Sequence, residues 1–77
     1  MKKNFAIIGV GLIGGSFALK CKSLGLAEKV IGVDNDPRHA EKALERGLVD
    51  EMLDLSTAIA HADVVVLAIP VNILAVL

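Results

Sequence analysis

Between Phe5 and Phe17 the chain reads Phe-Ala-Ile-Ile-Gly-Val-Gly-Leu-Ile-Gly-Gly-Ser-Phe, an apolar run that turns on glycines and then resumes with helical character. Phe5 to Ile8 suit a short strand buried on both faces, while Gly9, Gly11 and Gly14 hold the G-x-G-x-x-G spacing. Each glycine has its own mechanical task. Gly9 permits a tight turn, Gly11 removes a side chain where a pyrophosphate must approach the backbone, and Gly14 lets the next helix pack closely on the strand. The phosphates would then meet a helix N-terminus, whose unpaired N–H groups and dipole favour an anion without any basic side chain. The stretch therefore predicts a cradle for a dinucleotide phosphate.

Taken alone, such a motif can be no more than a tight turn, so the flanking chain has to supply the remainder of the unit. A helix over about 14–23 is predicted to end near Gly25. Lys29 to Val33 then form a second strand, and Asp34 follows twenty positions after Gly14. An acidic side chain at that point accepts hydrogen bonds from the adenosine ribose hydroxyls and repels a 2′-phosphate. The competing reading has glycines that only turn the chain and an Asp34 that only caps a loop.

A chain of 77 residues makes at most one small domain, which buries roughly 60% of its unfolded surface. Its 55% hydrophobic content suits parallel strands covered on both faces, and equally a piece of a larger domain. A net charge of -1 and two aromatics, Phe5 and Phe17, provide neither a basic footprint nor stacking platforms, so nucleic acid is not an expected partner. Cys21 is the single cysteine and cannot form an intrachain disulfide. With Phe17 and Leu24 at helical spacing, it is expected on a buried helix face as a small hydrophobe rather than as a reactive thiol. Lys2 and Lys3 ahead of an apolar run imitate a signal peptide, but glycines interrupt the run, and Lys20 and Lys22 occupy the place where small residues would be needed. No segment reaches the ~18 apolar residues of a membrane helix. The expected location is cytoplasmic, with no membrane partner.

Farther along, Asp36-Pro37 predicts a helix start, with Ala40, Ala43 and Leu44 inward, the charges Arg38, Glu41, Lys42, Glu45 and Arg46 in solvent, and Gly47 closing the helix. A brief edge strand is expected around Val49. Asp54 or Ser56 can cap a short helix containing Ala58, Ile59 and Ala62. Val64 to Ile69 form the clearest buried strand, which Pro70 ends, and Val71 to Leu77 start another helix. The alternation predicts a Rossmann-type α/β fold, a doubly wound parallel sheet of strand order 3-2-1-4. Strand order reverses between the first strand and the fourth, so the glycine loop and the segment after Val64–Ile69 open one crevice. Pyrophosphate would lie on the loop, adenosine toward Asp34, and the nicotinamide side past Ala68 to Val71. An apolar, uncharged Val64–Ile69 edge asks for cover. Residues 1–77 are accordingly read as the N-terminal, incomplete part of a dinucleotide-binding domain.

The loop Gly9-Val-Gly-Leu-Ile-Gly-Gly-Ser16, Val30-Ile-Gly-Val-Asp34, Ala43-Leu-Glu-Arg-Gly-Leu-Val-Asp50 and Asp63-Val-Val-Val-Leu-Ala-Ile-Pro-Val71 together resemble the prephenate/arogenate dehydrogenase family of tyrosine biosynthesis. The resemblance implies NAD-dependent oxidative decarboxylation of prephenate to 4-hydroxyphenylpyruvate. It also implies a helical C-terminal domain that holds the small-molecule substrate and makes a homodimer. The family's catalytic histidine lies beyond Leu77, which leaves no catalytic residue here; His39 and His61 do not match its position and are read as surface residues. The cofactor contacts expected in this chain are Gly9, Val10, Gly11, Leu12, Ile13, Gly14, Asp34, Ala68, Ile69 and Pro70, and no metal is expected. Asp34 favours NAD, although Arg38 could meet the 2′-phosphate of NADP. Another dehydrogenase of the β-hydroxyacid type, or a non-catalytic NAD-sensing module, remains as an alternative.

Overall fold

In the computed structural model, which describes residues 2–68, the elements run β1 (Lys3–Ile8), α1 (Leu12–Ser23), β2 (Ala27–Val33), α2 (Pro37–Glu45), β3 (Glu51–Met52), α3 (Leu55–His61) and β4 (Val64–Leu67). All strand pairs are parallel and the sheet order is β3-β2-β1-β4. This is the predicted doubly wound order. Phe5 pairs with Val30 on one side and Val64 on the other, and Ile8 with Val33 and Leu67, so β1 is the central strand. The expected tail helix, Val71 to Leu77, lies outside the described residues.

Alternating side chains divide the core between the two faces of the sheet. Ile7 and Val30 pack with Ala18 of α1, Ala43 of α2, Val10 and Val49 on one face; Ala6 and Ile31 pack with Ala58 of α3 on the other. Because successive strand residues point to opposite faces, a run such as Phe5–Ile8 must be apolar throughout to serve both layers. Among the described residues, no helix is long and apolar enough to cross a membrane.

The helix boundaries follow local chemistry. Asp36 caps α2 by accepting the Arg38 N–H at 2.9 Å, with Pro37 in the first turn. Asp54, rather than Ser56, caps α3, and its carboxylate accepts the Thr57 N–H and both neighbouring hydroxyls. α1 and α2 end alike: Gly25 (φ 69°) and Gly47 (φ 68°) take the left-handed conformation. Leu26 N–H then reaches back to Cys21 O, and Leu48 N–H to Ala43 O, closing a Schellman turn each time.

Three expectations need correction. α1 begins at Leu12 rather than Gly14, because Gly11 already serves as its N-cap. Cys21 is buried as expected, and burial pushes its thiol pKa up, but Phe17 and Leu24 are 43% and 58% exposed. The sheet-facing stripe is instead the small one, Gly14, Ala18 and Cys21, which lets α1 lie close to the strands. The same holds for the outer helices, where Ala43 and Ala58 are buried while Leu44 and Ile59 stand about half exposed. Finally, β3 is Glu51–Met52, not Val49. Val49 is a buried core residue, and Asp50 makes the join: its carboxylate accepts the Val30 N–H at 2.7 Å while its own N–H donates to Val30 O. That hydrogen bond, helped by Lys22, holds the Asp50 carboxyl below its ordinary pKa against a partial loss of solvation.

Candidate functional site

At the C-terminal end of β1 the chain reverses on Gly9 (φ 94°), whose N–H donates to Val33 O at 2.7 Å. A side chain is disfavoured at that φ, so glycine is required there. Gly11 takes the N-cap of α1 with no side-chain cap, and the first turn of the helix carries no acidic residue. The first amides of α1 are thus not neutralised by a carboxylate of their own helix and point out of the end of the sheet. Gly14 does what its spacing predicts: a Cβ there would overlap the Gly9 carbonyl oxygen and crowd Ile7 Cγ2 at 3.2 Å. At Gly11 the surroundings differ. A Cβ would meet only the His39 ring, at 3.7 and 3.9 Å, so the missing side chain leaves room at the loop surface rather than relieving a clash.

Asp34 follows β2 with its side chain 11% exposed. Its Oδ2 accepts the Val10 N–H at 2.9 Å, its Oδ1 accepts the Asp36 N–H at 2.8 Å, and His39 Nδ1 lies 3.1 Å from Oδ2. Burial pushes the Asp34 carboxyl up, but the hydrogen bonds from Asp36, His39 and Val10 outweigh it and hold the pKa below the ordinary carboxylate value. The aspartate therefore stays ionised and clamps the glycine loop to the end of β2. Arg38 is turned away from this role, since its guanidinium binds the Asp36 carboxylate through Nε and Nη2 at 3.2 and 3.0 Å. That pairing lowers the Asp36 pKa to about 2.

The predicted contacts thus gather at one edge. Gly9, Val10, Gly11 and Gly14 form the turn and helix start, and Asp34 is hydrogen-bonded to it. Leu12 and Ile13 belong to the first turn of α1, with Ile13 77% exposed. Ala68 donates its N–H to Ile8 O at 2.8 Å, which places it beside the root of the loop across the point where strand order reverses. Ile69 and Pro70 lie outside the described residues. A groove of about 540 Å³ opens next to the loop, with Val10, Gly11 and Ser16 on one wall and His39, Lys42 and Arg46 on the other. Among the described residues no cluster of three or more His, Cys, Asp or Glu could hold a metal ion.

Of the two histidines, His61 is a local surface residue whose Nδ1–H donates to Thr57 O at 2.8 Å. His39 is also exposed, yet it stands against the predicted ribose carboxylate, a contact the residue pattern did not reveal. The signal was its position: with Asp36 as N-cap, His39 is the third residue of α2, and side chains there reach back past the helix N-terminus.

A parallel sheet that reverses its strand order beside a glycine turn, with a helix N-terminus and a buried carboxylate at the opening, defines a Rossmann-type α/β domain. Its family follows from comparison with known proteins. The family model described as "Prephenate dehydrogenase, nucleotide-binding domain" matches residues 17–77, and the chain belongs to that family. It is similar to prephenate dehydrogenase of Bacillus subtilis (strain 168), 36% identical over 94% of this chain and 20% of that protein. It is also similar to prephenate dehydrogenase of Lactococcus lactis subsp. cremoris (strain MG1363), 34% identical over 92% of this chain and again 20% of that protein. The chain therefore spans about one fifth of the length of these relatives. Among solved structures, prephenate dehydrogenase from A. aeolicus in complex with hydroxyphenyl propionate and NAD+ superposes with a TM-score of 0.80, at 34% identity. That match covers 96% of this chain and 26% of the other.

Proposed function

We propose that this chain is the cofactor-binding part of an NAD-dependent prephenate dehydrogenase. The observation that carries the reading is the Asp34–Val10 hydrogen bond, which unites the phosphate loop and the ribose carboxylate in one rigid unit. Gly9, Val10, Gly11, Leu12, Ile13 and Gly14 would hold the pyrophosphate, Asp34 the adenosine ribose, and Ala68 with Ile69 and Pro70 the nicotinamide side. The cradle fits such a group: Gly14 can carry no Cβ, and Gly11 leaves its own open on the loop surface. Asp34 supports NAD over NADP, as does an Arg38 already engaged with Asp36.

When bound, NAD supplies a hydride acceptor, and in prephenate that oxidation is coupled to loss of carbon dioxide, giving 4-hydroxyphenylpyruvate. The described residues bind and orient; holding the substrate carboxylates, dimerisation and proton transfer fall to chain outside them, in a cytoplasmic enzyme. Gly11→Ala tests the cradle. The new Cβ makes only ordinary contacts at a φ of -69°, so the fold should persist while NAD affinity falls by roughly tenfold or more in calorimetric titration. Unchanged affinity would sink the reading. Prephenate-dependent NADH formation by the full-length gene product tests the reaction. NAD binding without it would point to another β-hydroxyacid-type dehydrogenase or a non-catalytic NAD sensor.

A further inference from the structure

We propose that His39 is a second reader of the adenosine ribose: with Nδ1 anchored on Asp34, its Nε2 takes one of the two vicinal hydroxyls while Asp34 takes the other. The inference rests on the dinucleotide reading of the loop. A carboxylate offers about four acceptor sites. In Asp34 the Val10 N–H and His39 Nδ1 occupy Oδ2, and the Asp36 N–H occupies one site of Oδ1, so a single acceptor remains, on Oδ1. The aspartate as it stands can take one ribose hydroxyl. Because the hydroxyls are vicinal, the group that holds the second has to stand beside it.

The imidazole meets that requirement. An ionised carboxylate only accepts hydrogen bonds, so the 3.1 Å contact with Asp34 places a hydrogen on Nδ1 and holds the ring by that nitrogen. Nε2 is then the ring's outer polar atom, and among the described residues it has no hydrogen-bond partner. Asp36 Oδ2 lies 3.8 Å from it, beyond hydrogen-bonding reach, and already accepts Arg38 Nη2. A hydroxyl both donates and accepts, so it can bond Nε2 whether or not that nitrogen carries a hydrogen. The ring also borders the right space. Its Cε1 and Nδ1 lie 3.7 and 3.9 Å from where a Gly11 Cβ would stand, and it lines the groove together with Val10 and Gly11 of the loop. A ring that merely braced Asp34 would act through Nδ1 alone, and this separates the two roles experimentally.

The test is calorimetric titration of the full-length gene product, wild type and His39→Asn, with NAD and with two NAD analogues lacking the adenosine 2′- or 3′-hydroxyl. Asparagine places an amide N–H where Nδ1 stands, and so keeps the hold on Asp34, but has no atom at Nε2. In the wild type each missing hydroxyl should weaken binding by roughly fivefold. In His39→Asn one of the two penalties should vanish, while the other, read by Asp34, remains. Penalties undiminished in the variant would overturn the role of His39 and leave the cradle and Asp34 as described. Loss of both would reduce His39 to a brace for Asp34 and overturn its contact with the sugar. A wild type that binds NAD yet is indifferent to both hydroxyls would overturn the placement of the ribose at Asp34, and the proposal with it.

Discussion

On one face of the sheet, α1 and α2 bury Ile7, Val30 and Val49 beneath small residues set close to the strands; on the other, among the described residues, α3 is the one helix over Ala6 and Ile31, and Val65 and Leu67 of β4 are 43% and 67% exposed. The difference is a matter of which strands each helix reaches. Crossovers through α1 and α2 build leftward from β1 to β2 and β3 and seal that face, whereas α3 crosses under the sheet to deliver β4 and stops over β1 and β2. The site belongs to the sealed side. Its loop and its carboxylate are held by backbone hydrogen bonds and by tight packing, so binding need not order them.

The strongest way to break the sealed face is Gly14→Ala. The added methyl overlaps a carbonyl oxygen of the loop itself, and overpacking against backbone cannot be relieved by a rotamer change. A loss of about 3 kcal/mol in urea denaturation is expected, large beside the stability of so small a domain. Since the Cβ of Gly11→Ala would make only ordinary contacts, that variant should keep the fold, and equal destabilisation by the two would refute the separate tasks given to these glycines.

A smaller effect comes from acid, through the helix on the other face. Hydrogen bonds from the Thr57 and Ser56 side chains, and from the Thr57 N–H, lower the Asp54 pKa from 3.8 to about 2. A folded value below the unfolded one means that the contribution is complete above pH 3.8 and is lost as pH falls toward about 2. Asp54→Asn should therefore flatten the stability profile across that interval and lower the plateau at neutral pH, as followed by circular dichroism. A variant as steep as the wild type would show that the cap contributes nothing.

The smallest effect sharpens the comparison most. Leu67→Ser on the half-covered face should change stability by no more than about 0.5 kcal/mol, whereas truncating the fully buried Ile31 of that same face should cost about 2–5 kcal/mol. If Leu67→Ser approached the cost of Ile31→Ala in the same denaturation experiment, β4 would have to be covered in solution.

What could be read from residue order alone tracks where a backbone demand admits one residue type. Gly9 and Gly14, the Asp36-Pro37 start and the glycines that end α1 and α2 were legible because positive φ, close approach and N-capping each single out glycine, proline or aspartate. The buried side of α1 was not, because Ile13, Phe17, Leu19 and Leu24 make the helix apolar nearly all round and its small residues decide the packing. β3 was misplaced because a side chain, Asp50, performs part of the strand pairing that periodicity attributes to backbone. His39 escaped notice because helical periodicity marks it as surface, which it is, while its reach to Asp34 depends on the angle at which α2 leaves β2.

The central position of β1 has a temporal consequence. Its partners are made at different times: β2 follows after one helix, but β4 arrives only when nearly all the described residues exist. Until then β1 has one row of amides and carbonyls without its ladder, including Asn4, which later exchanges hydrogen bonds with Asp63, and Ile8, which awaits Ala68. Pairing of such sequence separation forms late and slowly. The nascent chain thus carries that edge of β1 bare until β4 emerges, and the step that closes it is the same one that brings Ala68 beside the glycine loop.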